Sequence, residues 1–145
     1  MKRFTQFVCI VLVLMMVLST TAFAVEAADS RASNFFMSSS VYFWHVSGSK
    51  YQIWFDVTAV GTMSELGVRK IVVERSTDEV DWEPVKTYNK EDYSQMTDTN
   101  TVSHVDYVSF TATSGYSYRA IVDLYARNSS GTGVMTETTA VLDLR

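Results

Sequence analysis

Cysteine, proline, histidine and net positive charge are all scarce in this chain. Its 145 residues include one cysteine, one proline and two histidines. The cysteine, Cys9, lies in an apolar N-terminal run. Beyond that run no disulfide, thiol nucleophile or thiolate metal site can be built. Lys and Arg number 12 against 16 Asp and Glu, a formal charge of −4. With no basic cluster, the chain is poorly suited to nucleic acid or an anionic membrane surface. His45 and His104 stand in strand-like segments without a Ser or Cys motif, so neither is placed as a general base. The motifs Gly-x-Ser-x-Gly, His-Glu-x-x-His and Cys-x-x-Cys are absent. Gly131-Thr132-Gly133 is a lone Gly-x-Gly with no helix behind it to hold a phosphate.

What is present begins with an export pattern over residues 1–28. Lys2 and Arg3 precede an apolar stretch from Phe7 to Leu18, followed by Ser19, Thr20, Thr21 and the small-x-small triplet Ala22-Phe23-Ala24. This is a signal-peptide layout, with cleavage expected after Ala24 or Ala28. The apolar stretch is short for a membrane span, which takes about 20 residues. Cleavage leaves about 120 residues, enough for one domain with its own core. The domain is expected over residues 29–145, more acidic once Lys2 and Arg3 are lost.

The rest of the chain reads as strands. Tyr51, Ile53, Phe55, Val57 and Ala59 alternate with Gln52, Trp54, Asp56 and Thr58, the period of a strand with one buried face. Tyr118, Ala120, Val122 and Leu124 alternate with Arg119, Ile121, Asp123 and Tyr125 in the same way, after Val108, Phe110 and Ala112 and a turn at Gly115. Phe35 to Val46 is aromatic and β-branched, with both faces partly apolar. Val68 to Ser76 is a strand with Ile71 and Val73 inward. Trp82 to Tyr88 returns beside it, and Pro84 assigns that return to a sheet edge. Asn89 to Asn100 is a polar connection with one helical turn over Glu91–Met96. Ser129 to Gly133 is a hairpin loop, and Val134 to Leu144 a last strand. Thr62 and Glu65 have capping-box spacing before Gly67, which predicts a helical turn there. The six glycines are expected in turns or at strand ends. About seven short strands with little helix predict an all-β antiparallel sandwich.

Two segments carry a family resemblance. Val72-Val73-Glu74-Arg75-Ser76-Thr77-Asp78, followed by Asp81-Trp82, resembles a hairpin of fibronectin type III domains. Ala112-Thr113-Ser114-Gly115-Tyr116-Ser117-Tyr118 resembles that family's Leu-x-Pro-Gly-x-x-Tyr corner, with Ala112 in place of Leu and Ser114 in place of Pro. The resemblance spans roughly residues 68–145. It implies an immunoglobulin-like or fibronectin type III-like sandwich in which the Tyr118 hydroxyl bonds back to nearby backbone. The overall layout, with the turn Val60-Gly61-Thr62-Met63, is also similar to small exported single-domain proteins of unknown function from Gram-positive bacteria.

The chemistry that remains is recognition. Carboxylates at Asp78/Asp81 and Asp92/Asp98 are hard oxygen donors, but neither segment has the spacing of a calcium loop with its closing Glu. No metal, cofactor or catalytic residue is implied. The aromatic side chains offer contacts, and Trp54 and Tyr125, on the outward registers of their strands, are the candidates. The expectation is a secreted, non-catalytic binding or interaction module whose partner is an extracellular protein or glycan. It would engage neither nucleic acid nor, after signal cleavage, the membrane. The alternative is a carbohydrate-binding module using exposed aromatics, which a coplanar row of rings on one sheet face would favour.

Overall fold

The alternation from Tyr51 to Ala59 becomes the inner face of a long strand. A computed structural model of the protein describes residues 34–145. The proposed signal peptide and the polar stretch after it lie outside the described residues. Strands β1 (Phe36–Ser47), β2 (Lys50–Met63) and β6 (Thr101–Thr111) form one antiparallel sheet in the order β1-β2-β6. Strands β3 (Glu65–Ser76), β4 (Glu83–Asn89), β7 (Ser117–Asn128) and β8 (Gly131–Thr138) form the second, in the order β4-β3-β7-β8. Two short strands complete it. β5 (Thr97–Asp98) pairs with the start of β3, and β9 (Leu142–Asp143) with the start of β7. One 3-10 turn, Ser94–Met96, lies in the polar connection. This is the all-β antiparallel sandwich that the periodicity predicts.

The core lies between the sheets. Ile53, Phe55 and Val57 from β2 meet Ile71 and Val73 from β3 and Ala120, Val122 and Leu124 from β7, all fully buried. Each is the inward member of its alternating run, so the period of two sets the composition of the core. Among the described residues no buried side-chain nitrogen or oxygen lacks a hydrogen-bond partner. Pro84 sits in β4, at the edge of its sheet, where its missing N–H breaks no inner ladder.

The Gly115 corner is held by Tyr118. Its hydroxyl accepts the Thr113 N–H at 2.9 Å and donates to the Thr113 carbonyl at 3.1 Å. The ring packs edge-on against Phe110, with centroids 5.3 Å apart. Gly115 takes φ +88, which a side chain would strain.

Three local expectations are corrected. The helical turn over Thr62–Gly67 does not form. β2 runs through Thr62 to Met63 and β3 starts at Glu65, so the chain crosses between sheets in one residue, Ser64. Its hydroxyl donates to the Arg127 carbonyl at 2.8 Å. Glu65 caps nothing: its carboxylate pairs with Lys90 at 2.7 Å and Arg127 at 3.2 Å, while Met63 and Leu66 are drawn into the core. Tertiary burial outweighs the local capping signal.

The last strand is also divided. At Thr139 the ladder is replaced by a side chain: Thr139 Oγ1 accepts the Ala120 N–H at 3.0 Å, while its own N–H donates to the Ala120 carbonyl at 3.0 Å. The strand resumes as β9.

Finally, Gly67 and Gly133, like Gly61, lie within strands rather than turns. A Cβ on Gly67 would sit 2.2 Å from the Met96 carbonyl oxygen, and one on Gly133 2.7 Å from the Phe35 ring. Close approach of a neighbour explains both glycines. The hairpin before β8 is correspondingly tight, with Asn128 already paired to Gly131.

Candidate functional site

The two histidines stay apart from any reacting group. His104 stacks on Phe55, with centroids 5.7 Å apart, and its Nε2 lies 2.9 Å from the Gln95 carbonyl oxygen, to which it can donate. His45 Nε2 lies 3.0 Å from the Gly48 carbonyl oxygen, beside Tyr51. In the acidic turn, Asp78 bonds within its own loop. Asp78 Oδ1 accepts the N–H groups of Val80 at 2.9 Å and Asp81 at 3.0 Å, and the Ser76 hydroxyl at 2.8 Å. Those backbone donors hold the Asp78 carboxyl below its ordinary pKa. Asp98 accepts the Thr99 N–H at 2.7 Å. No group of three or more potential metal ligands comes together among the described residues.

The outer face of the larger sheet is a lattice of ion pairs. Arg119 bridges Glu74 at 2.8 Å and lies over the Trp82 ring at 4.3 Å. Asp123 takes Arg69 at 3.3 Å and the Thr136 hydroxyl at 2.8 Å. Tyr125 belongs to this lattice: Lys90, paired with Glu65, sits 4.2 Å above its ring. At one end Arg145 ties the chain terminus to Glu79 and Asp143. That guanidinium, its backbone N–H and the Ser117 hydroxyl hold Asp143 down at about 2.

The outer face of the three-stranded sheet is different in kind. Register places Tyr42, Trp54 and Tyr107 side by side on β1, β2 and β6. The next rows are Trp44-Gln52-Ser109 and Ser40-Asp56-Val105. Asp56 is the one charge in these three rows. Trp44 is 58% exposed, Tyr42 43% and Tyr107 36%. Trp54 is half-buried among them, and its Nε1–H donates to Gln52 Oε1 at 3.0 Å. The Trp54 and Tyr107 centroids are 4.9 Å apart with ring planes at 35°. Rings lying flat beside each other on a sheet cannot approach so closely without overlapping, so these two pack against each other at a tilt rather than forming a coplanar row.

The structure therefore places Trp54 and Tyr125 on opposite faces of the sandwich and does not bring them together. Trp54 stands at the centre of an apolar patch, whereas Tyr125 is covered by Lys90. The sequence candidates omit Tyr42 and Trp44, and Tyr107 is not distinguished from the other tyrosines. The alternation of β1 is apolar on both faces, so only its register with β2 identifies the outward rings.

The fold defines a two-sheet antiparallel β-sandwich. No family model matches this sequence, and no curated protein sequence matches it. Two solved structures are similar: the solution structure of R. palustris CsgH and the crystal structure of a protein from Archaeoglobus fulgidus. CsgH is 17% identical, with 73% of this chain and 92% of that chain covered and a TM-score of 0.38. The Archaeoglobus fulgidus protein is 8% identical, with 76% of this chain and 98% of that chain covered and a TM-score of 0.36.

Proposed function

We propose that the protein is a secreted, non-catalytic interaction module of the fibronectin type III-like kind, and that it contacts a protein partner through the outer face of β1-β2-β6. The observation that carries this reading is the patch formed by Tyr42, Trp44, Trp54 and Tyr107. Aromatic rings with polar tips, exposed together on a surface whose three central rows carry the single charge Asp56, are the side chains that anchor protein interfaces. The contrast with the ion-paired outer face of β3 and β7 supports it, since that face already satisfies its own charges. The fibronectin type III-like assignment is supported by the Tyr118 corner and by the partition β1-β2-β6 against β4-β3-β7-β8. Export is supported by the signal-peptide layout of residues 1–28.

A glycan partner is the second reading, favoured by the wide exposure of Trp44. A polysaccharide stacks on a coplanar row of ring faces, and the Trp54 and Tyr107 planes are tilted by 35°, so the protein reading is preferred. A photo-crosslinking residue placed at position 44 or 107 should give discrete protein adducts in envelope and culture-medium extracts, while one at position 125 should not. Equal labelling at all three positions, or a positive glycan array with no protein adduct, would overturn the protein reading.

A further inference from the structure

We propose that β1 is the pairing edge of a homodimer, in which two copies join their three-stranded sheets into one continuous sheet. This extends the contact-surface reading, because pairing would double the aromatic row.

The argument begins with how exposed sheet edges are protected. Charges, prolines and covering segments keep an unpaired edge from recruiting another strand. β4 carries Glu83, Pro84 and Lys86. On β6, the Ser109 carbonyl is capped by the Tyr88 hydroxyl at 2.7 Å, and His104 is tied to the 3-10 turn. β8 carries Glu137. Among the described residues, β1 carries no such guard of its own, and only Glu137 of β8, which accepts the Ser39 hydroxyl near one end, reaches it. Its 12 residues, Phe-Met-Ser-Ser-Ser-Val-Tyr-Phe-Trp-His-Val-Ser, contain no Pro, Lys, Arg, Asp or Glu. Register shifts fall near its two ends, between Phe36 and Ser38 and between His45 and Ser47, and the stretch from Ser38 to His45 pairs with β2 without interruption. Val41 and Phe43, on its inner side, are only partly buried against the core.

The occupant that fits this edge is a second β1. Antiparallel self-pairing centred on Tyr42 sets Tyr42 opposite Tyr42. On the outer face it sets Trp44 opposite Ser40, a large side chain beside a small one. On the inner face Phe43 meets Val41, so the two half-buried apolar groups cover each other. The row Tyr107-Trp54-Tyr42 then continues into the other copy as Tyr42-Trp54-Tyr107. No like charges are brought together along the strand. His45 of one copy falls opposite Ser39 of the other, whose hydroxyl donates to Glu137. Each end of the pairing therefore sets an imidazole near a carboxylate. An unrelated extended peptide would meet the same free edge without this reciprocal fit.

The test is the oligomeric state of the purified protein, followed by sedimentation velocity across a concentration series. The expected result is a concentration-dependent dimer. Tyr42→Glu puts two carboxylates opposite each other at the symmetry axis and should raise the dissociation constant at least about tenfold, since like charges directly opposite are unfavourable. Tyr107→Glu, in the same row but on the far edge, should leave the dimer intact. In a Cys9→Ser background, Tyr42→Cys should form a disulfide-linked dimer under mild oxidant, and Trp44→Cys, opposite Ser40, should not. The crosslink decides the matter if Tyr42→Glu does not fold.

Wild-type protein that stays monomeric throughout would overturn the proposal. So would a dimer broken by Tyr107→Glu and not by Tyr42→Glu, which would mean face-to-face contact. Protein that is monomeric alone and gains only a foreign peptide strand would overturn it as well. A monomer that still yields partner adducts at position 44 would sink the dimer and leave the proposed contact face standing. A dimer without such adducts would do the reverse.

Discussion

Tyr118 closes the Gly115 corner with two hydrogen bonds to one residue, Thr113. Tyr118→Phe keeps the ring against Phe110 and removes both bonds, leaving the Thr113 N–H and carbonyl to find water at the edge of the core. The expected loss is about 1–3 kcal/mol in denaturant unfolding, the usual cost of unpaired buried partners. A loss below a few tenths would assign the corner to Tyr116 instead. Gly67 is a steric case. Its φ of +147 and the Met96 carbonyl 2.2 Å from a would-be Cβ leave no room for a methyl group. Gly67→Ala should cost about 1–3 kcal/mol by overpacking, readable as a lower midpoint in the same assay. Tyr88 is a third residue-scale test. Burial, with a smaller contribution from Tyr93, pushes its hydroxyl up from 10.0 to about 12. Its stabilising contribution is therefore complete below pH 10 and is lost as pH rises toward 12. An absorbance titration should show one tyrosine ionising late, and Tyr88→Phe should remove that step. A titration unchanged by Tyr88→Phe would contradict the burial of that hydroxyl.

At the scale of elements, strands with one wet and one dry face were readable in advance. In β2 and β7 every inward residue expected from the alternation is buried, because a one-residue slip would turn the whole apolar set to water. Pro84 marked an edge for the equally local reason that it cannot donate. The failures share a cause. The Thr62–Glu65 spacing is a good cap signal, but it lies where the chain must cross between sheets and where Lys90 and Arg127, distant in sequence, claim the Glu65 carboxylate. Thr139 splits the last strand by bonding to Ala120, a partner 19 residues away. The aromatic face was hidden for the same reason. β1 is apolar on both sides, so its outward rings are known only from pairing with β2. A single strand contains no information about its neighbour.

At the scale of the whole molecule, the two outer faces divide the labour. The β3-β7 face is knit by ion pairs that tie together strands far apart in sequence, such as Glu74 with Arg119 and Arg69 with Asp123. These pairs are partly exposed and each contributes little to stability, so their effect is chiefly to leave that face polar and occupied. The β1-β2-β6 face does the opposite, keeping aromatic area exposed. Exposed apolar area on one side of a well-satisfied sandwich is what the proposed contact surface requires. The measurement that tests this most directly compares wild type with Tyr42→Ser/Trp44→Ser/Tyr107→Ser in a quantitative pull-down from envelope and medium extracts. Circular dichroism and the unfolding midpoint would show that both are folded alike. The account predicts that the proteins enriched by wild type fall at least about tenfold with the variant, consistent with the loss of aromatic anchors. The same proteins retained at the same level by a folded variant would contradict it.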